Sequence, residues 1–167
     1  MSINSPRQLK GMESAAAVAR IARDTLATAV VVGTSPRDLD DLCGSIFHMF
    51  GAVLPIFRAG NRVRDLGKRI ESSVTSRGFS VIRGLSGHGV GRAIHEEPSV
   101  PNYFDKNITS RLKAGPVVAI EPMISSGSGR IVEKPDGWTI CTTDRSLTAH
   151  FEHTVVVMDG PPLVLTA

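Results

Sequence analysis

Val117-Val-Ala-Ile-Glu-Pro-Met123 and Phe151-Glu-His-Thr-Val-Val-Val157 decide how this chain is read. Each is an apolar, β-branched run of strand length with a glutamate near one end. A Glu closing an apolar strand is unusual unless it is paired or ligating, because an unpaired buried carboxylate is costly. Upstream stand Ser86-Gly-His-Gly-Val-Gly91 and His95-Glu96-Glu97-Pro98. All of these blocks set a His or Glu beside Gly, Pro or a β-rich run, which is how side chains are aimed inward from strand ends and tight turns. A scattered His, Glu, Glu set of this kind suits a hydrolytic metal site. Imidazole and carboxylate hold a divalent ion and leave positions open for water.

Outward from these runs, Phe79–Ile82, Val117–Glu121, Arg130–Glu133, Trp138–Thr143 and Phe151–Met158 read as strands. Asp136-Gly137 is a hairpin turn and Gly127-Ser-Gly129 a loose one. The N-terminal part is helical. Ser5-Pro6 reads as an N-cap followed by Pro at the first helical position. The Ala-rich run from Gln8 to about Val30 has strong helix propensity, and Gly33 ends it. Thr34-Ser35-Pro36 opens a second helix with Leu39, Leu42, Cys43, Ile46, Phe47 and Phe50 at helical spacing. Ala52-Val-Leu54 reads as a short strand, broken by Pro55. A third helix covers Val63 to Thr75, with Val63, Leu66, Ile70 and Val74 on one side and Gly78 as C-cap. Helices followed by an antiparallel-looking sheet argue for an α+β domain.

At 167 residues with 41% apolar content, the chain reads as one globular domain with a real core. Its net charge of +3 is mildly basic. That fits a weak preference for acidic surfaces such as the ribosome, but Arg is scattered and no basic run exists, so no specific nucleic-acid binding is expected. Two cysteines, Cys43 and Cys141, are too few for a disulfide framework. The first residues lack a hydrophobic signal core and no apolar run is long enough for a bilayer, so a cytoplasmic protein is expected. Of the other histidines, His48 reads as solvent-facing. His150 and His153 read as satisfied strand residues rather than ligands.

Seven blocks in order give the chain a specific likeness: Gly87-His-Gly-Val-Gly-Arg92, His95-Glu-Glu-Pro98, Leu112-Lys-Ala-Gly115, Ile120-Glu-Pro-Met123, Asp136-Gly-Trp-Thr139, Thr143-Asp-Arg-Ser146 and Glu152-His-Thr154. They resemble type I methionine aminopeptidase, of the pita-bread fold. Prolidase-like relatives share the His-Gly and Glu-Pro elements but do not usually carry the Asp-Gly-Trp-Thr and Asp-Arg-Ser blocks. The resemblance implies a curved antiparallel sheet with helices on one face. It also accounts for an internal repeat, in which Gly33, Arg37, Asp38 and Leu39 match Gly60, Arg64, Asp65 and Leu66. In the family a run of strands separates the two such helices. Here the copies nearly abut, so a segment is expected to be missing near Leu54-Pro55-Ile56. On this view, residues 1–55 are a remnant of the first half and residues 56–167 are the second half of a single domain.

The resemblance also implies roles. His88, Glu121 and Glu152 would be metal ligands, with Glu121 also the general base. His95 would contact the substrate carbonyl and Trp138 the methionine side chain. Ile94 stands where Phe is common in the family. No block matches the family's two Asp ligands, so one divalent ion at most is expected: cobalt, manganese, iron or zinc. The substrates implied are N-termini of nascent polypeptides with a small second residue, and weak or absent turnover is expected. The competing reading is a degenerate relative that binds peptide or protein without catalysis. Deleted strands would expose sheet edges, so a homodimer through such an edge is a further expectation.

Overall fold

The computed structural model of the protein describes residue 3, residues 5–29 and residues 50–166, with the backbone alone for 18–29. Helix α1 (Pro6–Ala29) begins as expected. The Gln8 N–H donates to the Ser5 side-chain oxygen at 3.3 Å, and Pro6 occupies a first-turn position where no N–H is needed. The predicted second helix, with Cys43, His48 and the first repeat copy, lies outside the described residues apart from Phe50. That ring is buried, 5.5 Å from Phe151 and 4.6 Å from His153, edge-on to each.

The short strand expected over Ala52–Leu54 is not there. Residues 50–53 are helical and run into a 3-10 turn, Leu54–Ile56. The reason is periodicity. Phe50, Val53 and Phe57 are all buried at spacings of three and four, so one helical face, rather than the β propensity of Val-Leu, sets the conformation. Helix α2 (Val63–Thr75) has the predicted bounds, and Val63, Leu66, Ile70 and Val74 are buried. Gly78 follows with φ +84°, a left-handed value that closes the helix by returning the Phe79 N–H to the Val74 carbonyl at 3.4 Å.

Among the described residues ten strands follow: β1 (Ser80–Val81), β2 (Ser86–Gly89), β3 (Glu96–Pro101), β4 (Val117–Ile120), β5 (Met123–Ser125), β6 (Ile131–Glu133), β7 (Ile140–Thr142), β8 (Thr148–His150), β9 (His153–Val156) and β10 (Leu163–Val164). They form a five-stranded sheet, β10-β9-β4-β2-β3, a three-stranded sheet, β1-β5-β8, and the β6-β7 hairpin. Every ladder is antiparallel. The hairpin turns at Asp136-Gly137 as predicted, its carboxylate accepting the Trp138 and Thr139 N–H groups at 3.0 and 2.8 Å. The outer strand β3 carries Pro98, Pro101 and two glutamates, features that oppose edge-to-edge pairing.

The α+β architecture holds, but the helices are shared between faces rather than gathered on one. Val118, Ile120 and Val155 join Leu66 and Ile70 of α2 in the main core. Val117 and Val156, pointing the other way, meet Ala16 of α1 with Leu9 and Met12 beside it. All four residues of β4 are buried, so this strand needs cover on both sides.

Candidate metal centre

The chain passes between the two larger sheets three times, and the site lies at the last two of these crossings. Strand β4 ends at Ile120, Glu121-Pro122 follows, and β5 begins in the other sheet. Strand β8 ends at His150, Phe151-Glu152 follows, and β9 begins back in the first sheet. Because β4 pairs with β9 and β5 with β8, the crossings lie side by side, with Ile120 opposite His153 and Met123 opposite His150. Both carboxylates therefore project at one seam.

Strand β2 delivers His88 to that seam by pairing His88 with Ala119. The glycines flanking it are needed for close approach. A Cβ on Gly87 would collide with the Ala119 carbonyl, and one on Gly89 with the Glu97 carbonyl. The His88 Nδ1 lies 2.9 Å from the Gly89 carbonyl oxygen, which can only accept. Nδ1 therefore holds the proton, and in neutral His88 the lone pair is on Nε2. That Nε2 is 3.0 Å from Glu121 Oε1.

Glu121 is 8% exposed. Its backbone carbonyl accepts the Asn102 side-chain N–H at 3.2 Å, which fixes the strand end. Its second oxygen, Oε2, lies 3.4 Å from His150 Nε2. Glu121, His150 and Glu152 each bring one donor atom within 4.8 Å of the others, whereas His88, expected to share an ion with both glutamates, meets Glu121 but lies outside that group. His150 thus departs from the expectation that it is a satisfied strand residue. His153 meets that expectation: it is buried, with Nδ1 3.2 Å from the Thr166 hydroxyl. The reason is alternation along the chain. His150 and Glu152 are two residues apart and project together, and His153 points opposite. Carrying the predicted strand back from Phe151 to His150 would have disclosed this. Asn102 left no comparable signal.

His95 is exposed, its ring edge-on to His88 with centroids 4.3 Å apart. It borders the centre without joining it. Trp138, at the tip of the β6-β7 hairpin, is 88% exposed. It shares a cavity of about 400 Å³ with Leu85, Met123, Ile140 and His150, so His150 stands between the carboxylates and an apolar space. Ile94 is 76% exposed and is not among that cavity's lining residues.

The donor set fits a divalent ion. Metal–ligand bonds of about 2.0–2.2 Å put neighbouring donor atoms roughly 3–3.5 Å apart. The 3.0 and 3.4 Å separations at Glu121 have that size. Imidazole with carboxylate is also a usual mixture for transition metals and zinc.

Residues 12–159 match the sequence profile of metallopeptidase family M24, and the chain belongs to that family. Within it, the chain is similar to methionine aminopeptidases. That of Borreliella burgdorferi is 49% identical over 112 residues, 65% of this chain and 44% of the relative. That of Escherichia coli K12 is 43% identical over 136 residues, 81% of this chain and 52% of the relative. The solved methionine aminopeptidase of Thermotoga maritima superposes with TM-score 0.75 at 39% identity, covering 82% of this chain and 55% of that one. The likeness bears out the pita-bread fold inferred from the motif blocks, present here in part. The chain spans about half the length of the curated relatives it matches. Among the described residues, no helix is long and apolar enough to cross a membrane.

Proposed function

We propose that this chain is a reduced metal-dependent aminopeptidase that removes the initiator methionine from nascent polypeptides. One divalent ion is held by His88, Glu121 and Glu152. The observation that carries this reading is the seam itself, where imidazole and carboxylate donors at ligand spacing open onto an apolar cavity. A cobalt, manganese, iron or zinc ion bound there supplies a water of lowered pKa and a charge that polarises the scissile carbonyl.

The remaining roles belong to the chain. Glu121, buried and held at its backbone by Asn102, accepts the proton of the attacking water. His95, beside His88, donates a hydrogen bond to the carbonyl oxygen as it gains charge. The cavity under Trp138 takes the methionine side chain, and a small second residue avoids crowding at the mouth. This reading puts the protein in the cytoplasm, where new chains emerge.

Calorimetric metal titration beside a Met-Ala-peptide cleavage assay tests it. One bound ion, with cleavage lost in His88→Ala, is the expected result. A folded sample that binds no ion and cleaves nothing overturns it. A second reading, a peptide-binding relative without catalysis, is favoured by the exposure of His95, Glu152 and Trp138, which leaves the site open to bulk water. Metal and peptide binding with no product would select it.

A further inference from the structure

We propose that His150 is an additional protein ligand of this centre, giving it two imidazoles and two carboxylates and tuning it toward zinc and cobalt over manganese. The inference rests on the reading that His88, Glu121 and Glu152 bind an ion, and it adds a residue that the motif blocks do not point to.

Geometry supports it. The two oxygens of Glu121 are divided between two rings: Oε1 faces His88 Nε2 at 3.0 Å and Oε2 faces His150 Nε2 at 3.4 Å. His150, Glu121 and Glu152 already stand within 4.8 Å of one another as donors, a group that His88 reaches only through Glu121. The ring is placed by a strand. Thr148, Ala149 and His150 pair in register with Ser125, Ile124 and Met123. Ladder hydrogen bonds hold that backbone, and a ligand on a strand is positioned better than one on a loop.

His153, three residues on, shows what a histidine of this segment does when its role is structural. It is buried and takes the Thr166 hydroxyl and the Phe50 ring as neighbours. The His150 side chain is 46% exposed and turns toward the carboxylates and the cavity. A group that merely buttressed Glu121 would have no need of that open side. A ligand does, because water and substrate must reach the ion.

The chemical consequence is selectivity. A centre of carboxylates with one imidazole suits a hard ion, and a second imidazole favours borderline ions. Zinc should therefore bind the wild-type chain more tightly than manganese, and His150→Gln should narrow that gap.

The test uses the whole chain. Copper(II) is loaded as a spectroscopic probe and the imidazoles coupled to it are counted by pulsed electron paramagnetic resonance. Zinc and manganese affinities are measured by calorimetry for wild type, His150→Gln and His88→Ala. Two coupled imidazoles in wild type, falling to one in either variant, are expected. The zinc Kd should rise more than about 100-fold in His150→Gln, beyond the roughly 10–100-fold that follows loss of a supporting hydrogen-bond partner. If His150→Gln does not fold, nitrogen-15 shifts of the wild-type histidines during zinc titration replace it, and two metal-shifted Nε2 signals are expected. One coupled or shifted imidazole in wild type, or an unchanged zinc Kd in His150→Gln, overturns the role of His150 and leaves the centre at His88 standing. No ion bound by wild type overturns both.

Discussion

The β4–β5 and β8–β9 crossings between sheets contribute one carboxylate each, yet they are built differently. Glu121 leaves a strand whose four residues are all buried, is itself buried, and meets a histidine on each oxygen. Glu152 sits in an exposed linker between β8 and β9, next to a half-exposed Phe151. The Glu121 crossing is therefore fixed by burial and packing, whereas the Glu152 crossing is open to solvent. The lesson is that one carboxylate is built into the fold, whereas the other projects from it, so that the proposed site draws on both kinds of position.

Substitution separates these roles most strongly. Glu121→Ala should abolish metal binding and also destabilise the metal-free chain by about 1–3 kcal/mol, because a buried side chain is cut away from a packed strand end. Glu152→Ala should abolish metal binding while shifting metal-free stability by no more than about 0.5 kcal/mol. Calorimetry and thermal melts in chelator check both. Equal stability losses would erase the contrast, and unchanged metal affinity in Glu152→Ala would remove that residue from the centre.

Next in size is Gly87→Ala. The added methyl meets the Ala119 carbonyl, so the strand carrying His88 must move away from the strand that leads to Glu121. A loss of about 1–3 kcal/mol in denaturant unfolding is expected, with metal affinity reduced in the fraction that remains folded. Wild-type stability would show that β2 can shift freely.

Trp138→Ala sharpens the same comparison on the open side. The residue is 88% exposed, so the melting curve should barely move. KM for a Met-Ala peptide should rise by roughly 10-fold with kcat little changed, as for lost side-chain binding. A large stability change instead would make the tryptophan a packing residue.

The smallest effect concerns acid. Asp144 accepts the Ser146 hydroxyl at 2.7 Å and the Ser128 and Ser146 N–H groups at 2.7 and 3.1 Å. The Ser146 hydroxyl foremost, then these backbone donors, lower its pKa from the ordinary 3.8 to about 2. A depressed carboxylate pKa stabilises the fold fully above the unfolded value, and that contribution is lost as pH falls from near 4 toward 2. Asp144→Asn should flatten the pH dependence of the melting temperature in that window. An unchanged slope would show that the loop is held without this carboxylate.

Much of this was legible in the residues. Helix α2 has the predicted bounds because Val63, Leu66, Ile70 and Val74 repeat at helical spacing over a full face. The Asp136-Gly137 turn and the runs around Val117 and Val155 were equally direct. Strands β2, β3, β5, β8 and β10 were not read. They are short or rich in Gly and Pro, and hydrogen bonds to neighbouring strands, rather than their own propensity, hold them. The mistaken strand at Ala52–Leu54 shows the converse, since Val and Leu carry β propensity but the burial of Phe50, Val53 and Phe57 decided for a helix.

The sequence by itself determined the α+β class and the family-specific blocks, including those that carry His88, Glu121 and Glu152. Those depend on residue type and spacing along one chain. Only the tertiary structure decided that His150 faces Glu121, that His95 stands beside His88, and that the helices cover both faces of the central sheet. The physical reason is pairing. Which histidine meets a carboxylate depends on how β4 registers with β9 and β5 with β8, and hydrogen bonds between residues far apart in sequence set that register.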